Sequence, residues 1–211
     1  MPTDPPEILT PTLRLRAFVP GDAAKMYRMS REQGMARWIP DQVYADEAHA
    51  RQVVLTLIDA LREPATPTRG PYVLGVCLAA TQELIGHVGL SPYRGEVEIG
   101  FAIEDAHQRR GHARTAVRAT ARWALPTFGL ERILGIVADE NLASCRVLEG
   151  AGFALVERGT GTMHGRRRLV RTYALAAPAR AGRSHGTSAS EDSQPTHGAL
   201  PCRFRSTPGN T

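Results

Sequence analysis

Two arginines stand before a glycine in the stretch HQRRGHARTA, residues 107–116, soon after the apolar run VEIGFAI. The first amides of a helix have no partner within the helix, and the helix dipole favours anions there. Gly111 lets an anion approach the backbone closely because it has no side chain. Arg109, Arg110 and Arg114 add positive charge around the same point. The stretch therefore indicates a cradle for a pyrophosphate group.

The same arginines allow a second interpretation. Arg110, Arg114, Arg118 and Arg122 recur every four residues, which is also the pattern of a solvated helix face. On spacing alone, the anion cradle and the charged surface helix are equally favoured.

The elements around this stretch follow from the periodicity of the apolar residues. TLRLRAF alternates with period two and predicts a strand, with Asp22 as the N-cap of the short helix that follows it. An apolar stripe predicts a helix in DEAHARQVVLTLIDALRE, which Pro64 ends. PYVLGVCLAA, ELIGHVGLSP and EVEIGFAIE predict three strands of an antiparallel meander.

The second half of the chain continues with a helix from about Arg110 to Phe128 and the buried strand RILGIVA. Asn141 caps a further helix that ends at Gly150 or Gly152. FALVER and RRRLVRTYALA close the chain as a hairpin. The order predicts an α/β fold with a mixed sheet of about seven strands, in which residues 97–138 form a right-handed parallel crossover.

Composition indicates the organisation and compartment of the chain. We expect a short leader (residues 1–7), one domain (8–177) and a disordered tail (178–211), because the tail has few apolar side chains. There is neither an apolar run of the roughly 20 residues that cross a bilayer nor a signal-peptide pattern at the start. Cys77, Cys145 and Cys202 are odd in number, which indicates reduced cysteines in a cytoplasmic protein.

The charge and the histidines exclude two further classes of site. The net charge of +5 comes mainly from arginines without interleaved aromatic residues, which does not favour nucleic acid as a partner. The seven histidines include no helical i, i+4 pair with a third ligand, so we expect no metal site.

Four blocks of the sequence resemble one known family. QRRGHA, residues 108–113, matches the acetyl-CoA signature Q/R-x-x-G-x-G/A of the GCN5-related N-acetyltransferase (GNAT) superfamily. LTPTLRLRAFVPGDA, EVEIGFAI and ADENLASCRVLEGAGF resemble its RimJ/RimL-like branch, in the corresponding order. The resemblance covers residues 8–177 and implies a GNAT-like domain whose mostly antiparallel sheet is splayed between the fourth and fifth strands.

The resemblance also implies where acetyl-CoA binds as cosubstrate. Its pantetheine arm pairs with the strand that precedes the signature, its pyrophosphate lies on the signature amides, and an asparagine contacts the arm. The residues that correspond to these positions are Phe101, Ala102, Ile103, Gln108, Arg109, Arg110, Gly111, His112, Ala113, Arg114 and Asn141.

Two residues correspond to the catalytic groups of this branch. Glu98 matches the family glutamate and is the expected base; an exposed strand glutamate is its alternative. Ser144 is the expected acid for the departing sulfur, with a first-turn helix serine as its alternative. At pH 7 roughly 10–15% of a protein α-amine is neutral, against about 0.04% of a lysine amine, so an N-terminus needs little help.

The expected function is transfer of an acetyl group to a primary amine, either a protein N-terminus or a small molecule. An antibiotic-modifying acetyltransferase and a catalytically silent acetyl-CoA-binding module remain alternatives, as does RNA association through the basic tail. The family places the acceptor wall in variable loops, here residues 31–46 and 159–165. Arg166, Arg167 and Arg168 stand where the branch often has an aspartate, and they would repel a polyamine. Many relatives pair, so a homodimer is also open.

Overall fold

A computed structural model describes residues 7–62 and 65–178. The strands are β1 (Ile8–Leu9), β2 (Leu13–Arg16), β3 (Tyr72–Leu78), β4 (Leu84–Tyr93), β5 (Glu96–Ile103), β6 (Arg132–Ala138), β7 (Ala154–Met163) and β8 (Arg166–Ala176). The helices are α1 (Ala23–Ser30), α2 (Gln33–Trp38), α3 (Glu47–Ala60), α4 (His112–Thr127) and α5 (Leu142–Ala151). All the strands belong to one sheet, in the spatial order β1-β2-β3-β4-β5-β6-β8-β7.

The predicted fold class is confirmed: the chain is α/β with a mixed, mostly antiparallel sheet. The sheet has eight strands rather than about seven. The additional strand, β1, has two residues, which is too short to produce a periodic pattern. The predicted tail beyond residue 178, the leader before Glu7 and the helix-ending Pro64 lie outside the described residues.

The sheet is continuous up to β5 and then opens. β4 and β5 pair over eight residue pairs, from Gly86–Ile103 to Tyr93–Glu96. β5 and β6 are parallel and pair at Glu98–Leu134 alone. β6 then pairs with β8 along its whole length. The sheet therefore divides between β5 and β6, where the resemblance predicts the splay.

The two faces of the sheet carry separate cores. Helices α4 and α5 cover one face, where Val117, Leu148 and Tyr173 are fully buried. Helices α1 and α3 cover the other face near β3 and β4, with Phe18 and Val54 in the core. Helices α4 and α5 pack on each other and contact β5, β6 and β7, so they hold the two halves of the divided sheet together from one face.

The helix boundaries near the division follow local signals. Asn141 caps α5 through its side chain, and Gly152 ends that helix with a φ of 103°. Pro126 lies in the last turn of α4, which continues to Thr127. The prediction for Asp22 was wrong in one respect. Its carboxylate accepts from the Val19 amide and from Arg16 rather than capping α1.

Gly86→Ala tests how tightly β4 and β5 are packed. A Cβ at residue 86 would overlap the carbonyl oxygen of Ala102, which is main chain and cannot rotate away. We expect the free energy of unfolding to fall by about 1–3 kcal/mol in urea titrations followed by circular dichroism. Gly21→Ala is the control, because its Cβ would meet nothing within 4 Å. Equal stability of the two variants would contradict the prediction.

His87 on β4 makes the stability depend on pH. Complete burial lowers its pKa to about 4, and its Nδ1 has no hydrogen-bond partner among the described residues. In the unfolded chain the pKa is about 6.5, so only the unfolded state takes up a proton as the pH falls below that value. The free energy of unfolding should fall by about 3 kcal/mol between pH 7 and pH 4 on this account. His87→Leu should remove that part of the slope; an unchanged slope would exclude His87 as its source.

Candidate active site

A cleft of about 480 Å³ occupies the division of the sheet. β5 and β6 form its sides, and the starts of α4 and α5 lie along it. Helix α2 and the tip of the β7–β8 hairpin also contribute to its wall. The predicted residues that line it are Glu98, Phe101, Ala102, Ile103, Gln108, Arg109, Gly111, His112, Ala113, Arg114, Asn141 and Ser144. Arg110 is the one predicted site residue outside the lining, and it is exposed.

The loop before α4 has the geometry of an anion-binding nest. Arg109 and Gly111 both have positive φ, 60° and 84°, and left-handed residues of this kind occur in the amide nests that bind anions. The Thr115 amide donates to the Gly111 carbonyl, 3.0 Å away. The amides from residue 111 to 114 precede that bond and have no partner within the helix. The Arg114 guanidinium reaches back to 3.7 Å from the Cβ position of residue 111.

The four regularly spaced arginines are all exposed, three of them on α4 and Arg110 just before it. Arg114 lines the cleft. Arg118 donates a hydrogen bond to the Gly150 carbonyl at the end of α5. Arg110 and Arg122 are exposed. The anion-cradle interpretation therefore applies to Arg114, and the surface-helix interpretation applies to Arg110 and Arg122.

The side chain of Gln108 braces the nest. Its carboxamide nitrogen donates to the Ile103 carbonyl at 2.9 Å and to the Asp105 carboxylate at 2.8 Å. These bonds tie the end of β5 to the loop that follows it. Gln108 therefore holds the loop in shape, in addition to lining the cleft.

Behind the loop, Glu83, Glu104 and His107 bring their ligand-type atoms within 4.8 Å of one another. The Lys25 ammonium already lies among them, 2.6 Å from the Glu104 carboxylate and 3.4 Å from that of Glu83. Its positive charge neutralises the carboxylates. The group therefore ties α1 to the loop that precedes α4.

The main chain of β5 presents two residues to the gap. The Glu104 amide bonds to the Ile85 carbonyl of β4, so alternate residues, including Ala102, also face β4. Phe101 and Ile103 consequently turn their main-chain amides toward β6, from which β5 has already diverged. Of the three strand residues predicted to contact the cofactor, Phe101 and Ile103 are therefore the two whose main chain can pair with it. Ala102 only lines the cleft.

Glu98 lies where the division begins. It is 6% exposed, so its alternative as an exposed strand glutamate is wrong. It lies between its two strand neighbours, Ser91 of β4 and Leu134 of β6. Burial raises the pKa of Tyr93 nearby, and the negative charge of Glu98 adds to that effect. A buried carboxylate thus stands at the closed end of the cleft.

Asn141 and Ser144 stand together at the start of α5. The Asn141 carboxamide oxygen accepts from the Ser144 amide at 3.1 Å, which is the predicted cap. Both residues also line the cleft. The cap leaves the carboxamide NH2 group available as a donor.

Several lining residues were missed from the sequence. Arg146 adds a cation on α5, and Glu32 adds a carboxylate whose pKa is raised by burial. Met35, Trp38 and Ile39 come from the expected loop 31–46, and Met163 and His164 from the expected loop 159–165. The expectation of loops was wrong for much of both segments, because residues 33–38 form α2 and residues 159–163 are the end of β7. No sequence pattern distinguished these lining residues.

Cations and helix-start amides therefore lie at one end of the cleft, and a buried carboxylate lies at the other. The family model of the acetyltransferase (GNAT) domain matches residues 12–154, which is more than half of the chain. The chain therefore belongs to the GNAT family of N-acetyltransferases, as its sequence resemblance implied.

Individual relatives agree with this assignment. An uncharacterized N-acetyltransferase of Bacillus subtilis, YnaD, is 26% identical over 69% of this chain and 81% of its own length. A putative ribosomal-protein-serine acetyltransferase from Vibrio cholerae has the same fold, with a TM-score of 0.69 and 20% identity over 83% of this chain and all of its own. So has RimL, a ribosomal L7/L12 α-N-protein acetyltransferase in complex with coenzyme A, with a TM-score of 0.68 and 16% identity over 81% of this chain and 98% of its own.

In the part of the chain that the structure describes, no helix is both long and apolar enough to cross a membrane.

Two replacements of Asn141 test how much its side-chain cap contributes to the stability of α5. Asn141→Ala should lower the free energy of unfolding by about 1 kcal/mol, because the Ser144 amide loses its acceptor. Asn141→Asp should retain wild-type stability, since a carboxylate caps equally well. Chemical unfolding of both variants makes the comparison. Equal losses in the two variants would show that the cap is not what stabilises α5.

Proposed function

We propose that this chain transfers the acetyl group of acetyl-CoA to a primary amine, foremost the α-amine of a protein N-terminus. The observation that carries the proposal is the pairing of an amide nest with a buried carboxylate along one cleft. The nest suits the pyrophosphate, and Glu98 suits the amine.

The residues present fit the cofactor at each point that the family pattern requires. Helix-start amides and the Arg109 and Arg114 side chains offer the positive charge that a pyrophosphate needs. Phe101 and Ile103 offer main-chain groups that no strand pairs. Arg146, also along the cleft, is a further cation for phosphate. Acetyl-CoA supplies an activated acyl group as a thioester.

The chain's own residues supply what the transfer needs beyond that group. Glu98 takes a proton from the amine, directly or through water. A main-chain amide of Phe101 or Ile103 donates to the carbonyl oxygen, where negative charge develops in the transition state. Ser144 donates a proton to the sulfur, a modest contribution because a thiol with a pKa near 8.5 leaves readily. Asn141 donates to the cofactor arm through its carboxamide.

The α-amine of a protein N-terminus is favoured as acceptor by two observations. Three carboxylates line the cleft, but Asp105 is exposed and Glu32 is half-buried, so Glu98 is the one that is buried and placed to serve a single amine. Two of the solved structures with this fold are named as acetyltransferases of ribosomal proteins. A small-molecule amine is the second candidate, because the cleft is compact.

Glu98→Gln tests the proposed base. Turnover should fall by about 10²–10⁴-fold, because glutamine accepts no proton, while the affinity for coenzyme A in calorimetry stays unchanged. Ser144→Ala should cost about 10²-fold, the low end of the same range. The assay is free-thiol release from acetyl-CoA with a panel of peptides, spermidine and kanamycin.

Glu96→Gln is the matched control. Glu96 lies two residues along the same strand, pairs with Arg132 and does not line the cleft. Its variant should keep wild-type turnover. A loss below tenfold in Glu98→Gln would remove Glu98 from the mechanism, and binding of coenzyme A without turnover of any amine would favour a silent module.

A further inference from the structure

The hairpin between β7 and β8 ends in a tight turn of His164 and Gly165. Both residues have positive φ, 51° and 73°, which suits a two-residue hairpin turn. Glycine adopts this conformation freely, whereas histidine does so at a cost. Despite its place at the tip, the His164 side chain is only 11% exposed. The turn therefore directs the imidazole back against the protein.

The imidazole contacts a segment far away in the sequence. His164 Nδ1 lies 2.8 Å from the Asp41 carboxylate, across 123 residues. Asp41 belongs to the single helical turn Pro40–Gln42 that directly follows α2. Because a carboxylate only accepts, Nδ1 carries the hydrogen of this bond. In the described part of the chain, no other hydrogen bond or ion pair joins the hairpin to residues 31–46.

The contact lies on the sheet face that carries Glu98. Paired residues share a face, so Glu98, Leu134 and Ala174 point the same way, as does Met163 further along the hairpin. Tyr173 points to the opposite face, where it bonds to Glu149 of α5. The cleft therefore has one mouth beside α4 and a second mouth on the other face, under α2 and the hairpin tip.

The second mouth differs in chemistry from the first. Its wall consists of Met35, Trp38, Ile39 and Met163. His164 connects the hairpin to the segment after α2 through its bond to Asp41. Cationic side chains line the mouth beside α4 instead. Phosphates fit the first mouth, and the amine enters by the second.

We propose that His164 and Asp41 form a clasp that closes the second mouth and selects acceptor amines by the bulk of the group beside the nitrogen. The proposal has two parts. The selection of acceptor amines rests on the proposed function, whereas the closure of the second mouth by the clasp does not. With the clasp shut, the hairpin and α2 leave an apolar passage bounded on both sides. With it broken, the hairpin tip has no polar tie to α2 and the passage widens.

Closure is measured without any acceptor. The chain has two tryptophans, so Trp123→Phe leaves Trp38 in the cleft wall as the sole reporter. In that background, His164→Gly suits the turn and removes the imidazole, and Asp41→Ala removes its partner. Each should increase acrylamide quenching of Trp38, and the double variant should equal either single one, because all three break one contact.

Arg158→Ala is the matched control. Arg158 is on the same hairpin and forms an ion pair of similar length, 2.7 Å to Asp139, but neither residue lines the cleft. Its quenching should equal that of the parent. Unchanged quenching in the clasp variants, or an additive double variant, would overturn the clasp whether or not the chain turns over any amine.

Selection is measured with two peptides that differ only in beginning with glycine or with tryptophan. Breaking the clasp should raise the ratio of kcat/KM for the tryptophan peptide over the glycine peptide by about three- to fivefold, a typical factor for the loss of one partly exposed hydrogen bond. The KM for acetyl-CoA should not change. An unchanged ratio in clasp variants that show greater quenching would overturn selection and leave closure standing, and absence of turnover in the parent would count against the proposed function alone.

Discussion

The structure depends on one incomplete pairing in its sheet. β5 and β6 meet at Glu98–Leu134 and then part, although both continue as extended strands. Main-chain amides and carbonyls inside a protein require partners. Phe101 turns both of its groups into the gap and Ile103 turns its amide there, whereas the Ile103 carbonyl accepts from Gln108. The fold tolerates this because α4 and α5, packed against each other on one face, hold the two halves of the sheet together. A ligand with its own amide groups can form the main-chain hydrogen bonds that β6 does not form with this part of β5.

The charges of the cleft are arranged along this gap. The α4 end combines unpaired amides with arginines, so it attracts anions. Burial lowers the pKa of His112 there, an effect that the positive charge of Arg110 increases. The far end has Glu98 within a largely apolar wall. One passage thus offers opposite electrostatic environments to the two reactants, which reduces the chance that either binds in the other's place.

Sequence reasoning was successful where a signal is local. The alternation of β5, the cap at Asn141 and the glycine at residue 111 each predict an element and its place beside the cleft. The two-residue strand β1 has too few residues to show a period. The meeting of His164 with Asp41 depends on how two distant loops fold together, and neither loop contains a pattern that names its partner. Arg146 was missed for a related reason, because a helical arginine looks the same on a solvated face.

The bond from Arg118 to the Gly150 carbonyl has a consequence for the length of the cofactor. It fastens the middle of α4 to the end of α5, so the nest at Gly111 and the Asn141–Ser144 pair belong to one rigid frame. The distance between the loop at Gly111 and the Asn141–Ser144 pair is therefore fixed. In the proposed binding mode, a thioester carrier fits only when its phosphates and its sulfur are spaced to match, and a truncated carrier reaches one of these two points but not both.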